Sequence, residues 1–117
     1  MGARVELGRA GEEAALEVYR RRGYALLARN WRCPLGELDL VLVREGLVVV
    51  CEVKTRAGSG FGGGHEAVTP AKRERIRRLA EAFLRGWEPE PIAVRFDVAS
   101  VRRTRTGLSV ELFEDAF

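Results

Sequence analysis

The 117-residue chain is 46% hydrophobic and 32% charged, and it carries a net charge of +3. That balance suits one globular domain over residues 1–117 and excludes disorder. No apolar run approaches the roughly 20 residues that cross a bilayer, and the stretch with Arg4, Glu6 and Arg9 lacks the apolar segment of a secretory signal. Cys33, Cys51 and the lone His65 are too scattered for a zinc framework, so no membrane and a reducing, cytoplasmic setting are expected.

In chain order, Leu7, Ala10, Gly11, Ala14 and Val18 recur as one face and predict a helix from Leu7 to Arg22. Gly23 ends it behind Arg20, Arg21 and Arg22, cations that suit a helix C-terminus. Tyr24 to Asn30 reads as a first strand, and Trp31 to Leu35, with Pro34, as a loop. Gly36 to Val43 is a second strand, with Leu38, Leu40 and Leu42 on one face and Glu37, Asp39 and Val41 on the other. Valine-rich Leu47 to Arg56 is the third. Ala57 to His65 is a glycine-rich loop, without the lysine of a phosphate-binding P-loop. Thr69 and Pro70 open a second helix as N-cap and first residue, with Ile76, Leu79, Ala80, Phe83 and Leu84 as its buried stripe. Gly86 and Pro89 close it. Ile92 to Val98 is a fourth strand, Arg102, Arg103, Arg105 and Gly107 a basic connection, and Leu108 to Phe113 a short fifth strand at an edge. Helix, three strands, helix, two strands predicts an α/β fold: an antiparallel meander, then a helical crossover that allows a mixed sheet.

The hairpin from Gly36 to Arg56 holds the chemistry. A tight turn at Glu45-Gly46 pairs Arg44 with Leu47, and counting back sets Leu40 opposite Cys51, Asp39 opposite Glu52 and Glu37 opposite Lys54. Two facing carboxylates repel each other, and a shared Mg²⁺ or Mn²⁺ would reverse the sign of that interaction. Lys54 falls on the same face, where an ammonium could orient or help deprotonate an attacking water. The alternative is an ordinary cross-strand ion pair between Glu37 and Lys54. One observation favours chemistry: of 20 basic residues only Lys54 and Lys72 are lysine. A chain that writes positive charge as arginine keeps lysine where a compact ammonium is needed.

Lys72 and Arg73 stand in the first turn of the second helix, where cations oppose the helix dipole and a bound phosphate would relieve the conflict. Phasing puts Lys72 beside the buried stripe. Arg75 and Arg78, interleaved with Glu74 and Glu81, suit a solvated face equally well. The glycine loop and His65 could touch a nucleic-acid backbone or be a plain connection. Trp31, Trp87 and Cys51 are expected to be packing residues. The basic charge as a whole fits a polyanionic partner or an acidic protein surface.

Gly11-Glu12, Arg29-Asn30, Gly36-Glu-Leu-Asp-Leu-Val41, Glu52-Val-Lys-Thr-Arg56, Phe61-Gly62 and Lys72 occur here in one order. Together they resemble the YraN-like family of bacterial predicted endonucleases, over about Gly8 to Val98. The resemblance implies a restriction-endonuclease-like fold, with a central mixed sheet flanked by helices and similar to archaeal Holliday-junction resolvases. By position, Asp39 and Glu52 resemble the metal-binding carboxylates, Lys54 the catalytic lysine and Glu12 an additional acidic ligand from the first helix. Leu38 stands where the loosest superfamily motif has proline. Glu12 rather than Glu13 is expected to reach the sheet, because Glu13 shares a charged face with Arg9, Glu17 and Arg20. The expected activity is Mg²⁺- or Mn²⁺-dependent hydrolysis of nucleic acid, DNA above all, at branched structures in particular. Arg56, Lys72, Arg73, Arg102, Arg103 and Arg105 would contact phosphate. Junction-cutting enzymes generally need two sites, which leaves a homodimer open. The competing readings are a nucleic-acid-binding module without turnover and a basic protein-interaction domain.

Overall fold

The computed structural model describes residues 2–57 and 68–117, apart from the side chains of residues 3–5. The elements are α1 (Ala3–Arg21), β1 (Ala25–Cys33), β2 (Gly36–Arg44), β3 (Leu47–Arg56), α2 (Pro70–Leu84), β4 (Ala93–Thr104) and β5 (Gly107–Phe113). The strands form one five-stranded sheet in the order β1-β2-β3-β4-β5. β1, β2 and β3 are an antiparallel meander, β4 is parallel to β3 after the α2 crossover, and β5 turns back antiparallel along the edge. This is the mixed sheet with two helices expected of a restriction-endonuclease-like fold. The expected loop contacts of the glycine stretch, Phe61 and His65 lie outside the described residues.

A helix covers each face of the sheet. On one, Ala15, Leu16 and Tyr19 of α1 pack on Leu40, Leu42, Val49, Cys51 and Ala99. On the other, Ile76, Leu79 and Ala80 of α2 pack on Leu38, Val41, Val48, Val50 and Val98. Thr69 caps α2 as expected, its hydroxyl accepting from the Lys72 amide at 3.2 Å. The Glu45-Gly46 turn also stands, with both residues at positive φ (49° and 82°). Trp31 packs edge-on to Phe83, and Trp87 stacks on the same ring.

Four expectations are corrected. β1 runs to Cys33, because Pro34 and Leu35 are themselves the two-residue turn that pairs Cys33 with Gly36. β4 runs to Thr104, so Arg102 and Arg103 are strand residues and only Arg105 and Thr106 make the turn; strands near an edge tolerate charge. The buried face of α1 is Gly11, Ala15, Leu16 and Tyr19 rather than Leu7, Ala10, Ala14 and Val18. α1 carries small or apolar residues on several sides, and the face is selected by what its partners on the sheet accept. Finally, Leu38 packs with Val41 on the α2 side while Leu40 and Leu42 pack on the α1 side. The alternation breaks at Asp39 and Asn30, which lie between the paired positions Arg29–Leu40 and Trp31–Leu38, with Asn30 at φ +53°.

At Gly11 α1 lies directly against Thr55 of β3. A Cβ there would collide with Thr55 Oγ1 and lie 2.9 Å from its Cγ2. Alanine in a helix interior normally stabilises by ~1 kcal/mol over glycine. Here we expect Gly11→Ala to destabilise by about 1–2 kcal/mol, because overpacking outweighs propensity. Thr55→Ala should restore part of the loss, leaving only a 3.0 Å contact to the Thr55 Cβ. Thermal unfolding of the single and double variants checks this; a Gly11→Ala protein more stable than wild type contradicts the close approach.

Candidate functional site

The β2–β3 ladder pairs Arg44–Leu47 through Leu40–Cys51, in the register that the turn dictates. There the described pairing stops. At the next position the Asp39 side chain replaces the backbone: its Oδ2 accepts the Val53 amide at 2.9 Å. Asp39 lines a cleft of about 450 Å³ together with Leu7, Gly8, Glu12, Val53 and Thr55.

Glu52 is only 6% exposed. It follows Val48 and Val50 on the α2 face, and its Oε1 lies 3.5 Å from Lys72 Nζ in the first turn of α2. Burial pushes the Asp39 carboxyl up to about 7; the Glu52 charge adds to this, and the Val53 amide partly offsets it. Burial also raises Glu52, against the pull of Lys72 and Lys54. Lys54 moves the other way: burial and the neighbouring Lys72 ammonium lower its pKa, while Glu52 and Asp39 oppose the shift. The centre is therefore two desolvated carboxylates and two close ammonium groups, each pair of like charges strained.

Glu12 lines the same cleft as Asp39 and adds a minor repulsion to it. Its own carboxylate is held by Arg29 Nε at 3.5 Å and Asn30 Nδ2 at 3.0 Å. Its side chain is 16% exposed and that of Glu13 is 52%. Among the described residues no three metal-ligating side chains come together, so Glu12 is not gathered with Asp39 and Glu52 into a closed cage. Two hard carboxylate donors still fit Mg²⁺ or Mn²⁺, which commonly keep several waters and take one or two carboxylates plus substrate phosphate.

The other residues fall into place unevenly. Glu37 pairs with Arg32 at 3.5 Å, and among the described residues no ion pair joins it to Lys54. Arg73 donates from Nε to the Val68 carbonyl at 3.0 Å and lies over the Phe117 ring, so it is engaged in holding the chain. Arg56 and Arg102 are register partners on β3 and β4. Arg103 and Arg105 line a groove with Glu6, Leu7 and Ala10 of α1, on the opposite face.

Sequence reasoning did not foresee three features. The Lys72–Glu52 contact needs the α2 crossover to be placed. Arg29 and Asn30 were legible as a motif but not as the clamp on Glu12. The third is a buried network away from the cleft. Asp97, fully buried, accepts from Tyr19 Oη at 2.7 Å, from Arg95 at 2.8 and 2.9 Å, and from the Asp115 amide at 3.0 Å. An aspartate between Phe96 and Val98 was its only trace in the sequence.

Comparison with known sequences gives a consistent picture. The sequence model of Uncharacterised protein family UPF0102 matches residues 11–101. The chain is 50% identical over 105 residues to a UPF0102 protein of Mycolicibacterium smegmatis, covering 88% of this chain and 85% of that one. It is 49% identical over 118 residues to one of Frankia alni, covering 100% and 98%. It is 47% identical over 112 residues to one of Clavibacter michiganensis, covering 95% of each. The matched segment holds Glu12, Asp39, Glu52, Lys54 and Lys72 and ends before Arg102.

Proposed function

The chain belongs to the YraN-like family, UPF0102, and on the chemistry of its buried acidic centre we propose that it is a metal-dependent endonuclease. It hydrolyses phosphodiester bonds in DNA, with branched structures as the favoured substrate. The observation that carries this reading is the pair of carboxylates just past the end of the β2–β3 ladder, Asp39 and Glu52, with the Glu52 charge acting on Asp39. Both are desolvated and raised, and two lysines stand beside them. A protein has no structural reason to bury two like charges next to each other, whereas a cation and a phosphate make that arrangement favourable.

Asp39 and Glu52 would hold Mg²⁺ or Mn²⁺, which when bound supplies Lewis acidity at the phosphoryl oxygen. The chain's own residues do the rest. Lys54, with its lowered pKa, is poised to accept a proton from the attacking water or to orient it. The water oxygen bonds to phosphorus, the bond to the leaving oxygen breaks, and that oxygen takes a proton from solvent. Lys72, at the N-terminus of α2, offsets charge on the transferring phosphoryl group, helped by the helix dipole. Recognition is of backbone and shape, since neither helix presents a base-reading face.

A cleavage panel of single-stranded, duplex and branched DNA, with Mg²⁺ or Mn²⁺, tests the proposal. Metal-dependent cleavage, strongest on branched substrates, is expected. Tight binding with no cleavage of any substrate would point instead to a nucleic-acid-binding module without turnover. Absence of both would leave the basic surface to an acidic protein partner.

A further inference from the structure

The register divides the basic residues near the site between the two faces of the sheet. In β3, Val48 and Val50 pack under α2, and Val49 and Cys51 under α1. Continuing that alternation puts Glu52, Lys54 and Arg56 on the α2 face and Val53 and Thr55 on the α1 face. The parallel partners of the first set are Val98, Ser100 and Arg102. β5 adds Phe113 opposite Val98, Glu111 opposite Ser100, and Ser109 opposite Arg102. Directly opposed residues share a face. Arg103 is therefore on the far side, and its place in the groove with Glu6, Leu7 and Ala10 of α1 agrees independently.

The α2 core reaches Val48 and Val50 on β3, Phe96 and Val98 on β4, and Phe113 on β5. Past that limit, among the described residues, the α2 face of the sheet is a polar floor. It presents Lys54, Arg56, Ser100, Arg102 and Ser109, and at its β5 margin the exposed Glu111. Lys54, Arg56 and Arg102 bring positive charge and Ser100 and Ser109 hydroxyls, and the floor begins at the Glu52–Lys72 contact. It holds no large apolar side chain of the kind that anchors a protein partner. Its chemistry suits a hydrated polyanion.

We infer that this floor is the track on which the phosphodiester backbone lies as it leaves the carboxylate pair, crossing from Arg56 on β3 to Arg102 and Ser109. Glu111 bounds the track on the Ser100 side, and Arg103 and Arg105 take no part. This rests on the nucleic-acid reading above.

Anisotropy titrations of labelled duplex and branched DNA over a range of salt, with metal replaced by Ca²⁺, test it on the full chain. Wild type should show a salt-dependent affinity. Arg102→Ala should weaken binding about tenfold at low salt and make the log–log salt slope shallower by about one phosphate. Arg103→Ala and Arg105→Ala should bind as wild type does. Glu111→Gln should tighten binding, a gain that a merely damaged fold would not give. Salt-independent or absent binding by wild type would end the nucleic-acid reading itself. Normal wild-type binding that is lost in Arg103→Ala, or unchanged in both Arg102→Ala and Glu111→Gln, would overturn the track alone.

Discussion

Lys54→Arg is expected to keep the fold and nucleic-acid binding while slowing cleavage by at least ~100-fold, the usual scale for a lost acid–base group. The substitution preserves charge, so a residue serving only as an ion-pair partner would tolerate it. Glu37, the partner that the hairpin register offered, pairs with Arg32 instead. Burial and the neighbouring Lys72 ammonium lower the Lys54 pKa, while Glu52 and Asp39 oppose the shift. A guanidinium cannot give up its proton at neutral pH, and its planar fork is too broad for a space shared with another ammonium. Single-turnover rates on the best-cleaved substrate decide the matter. Near-wild-type cleavage by the arginine variant would remove Lys54 from the chemistry.

Asp39→Asn should reverse sign with conditions. In the metal-free folded protein the Asp39 carboxyl titrates near 7, against an ordinary value of 3.8. The folded state then binds more protons than the unfolded state between those values, so stability falls as pH rises through that window. The penalty is absent below it and complete above it. Asparagine has no such proton to lose, and its carbonyl oxygen can still accept the Val53 amide. At pH 8 without divalent metal, the variant should be more stable than wild type by about 1–3 kcal/mol, the cleft's water screening the rest. At pH 4 the two should converge. Added Mg²⁺ or Mn²⁺ should stabilise wild type by mass action and leave the variant nearly unmoved. Melting curves at the two pH values, with and without metal, read all of this. A variant less stable at pH 8, or one with an undiminished metal response, would contradict it.

The hairpin that carries Asp39 and Glu52 was legible because one short turn sets its register, but the expected pairing of Asp39 with Glu52 and of Glu37 with Lys54 lies beyond the point where that register ends. Glu45-Gly46 needs two positive φ values in succession, and once that turn is placed, every pair back to Leu40–Cys51 follows by counting. Counting fails one step later, because local polar chemistry replaces the ladder: the Asp39 carboxylate takes the Val53 amide, and Asn30 turns left-handed across from it. The same irregularity moves Leu38 to the α2 face, which alternation alone could not show in a strand covered on both sides. Pro34 misled because a two-residue turn and a longer loop look alike in sequence. Arg102 and Arg103 misled because charge was read as a connection, where a strand near the sheet edge accommodates it. Lys72 drew attention by its rarity, but its reach to Glu52 depends on a long crossover that no local pattern reports. The Asp97 network stayed hidden for the same reason, its Tyr19 partner being 78 residues away.

The central claim is that Asp39 and Glu52 together form the reactive centre of a nuclease. The most direct test is Mn²⁺-dependent cleavage of a labelled branched DNA under single-turnover conditions, comparing wild type, Asp39→Asn, Glu52→Gln and the double variant. Groups that act as a unit lose their contribution together. Each single variant should therefore lose ~100-fold or more, and the double variant should lose little beyond the worse of the two. Cleavage by either single variant at the wild-type rate, or no cleavage of any substrate by wild type, would contradict the account.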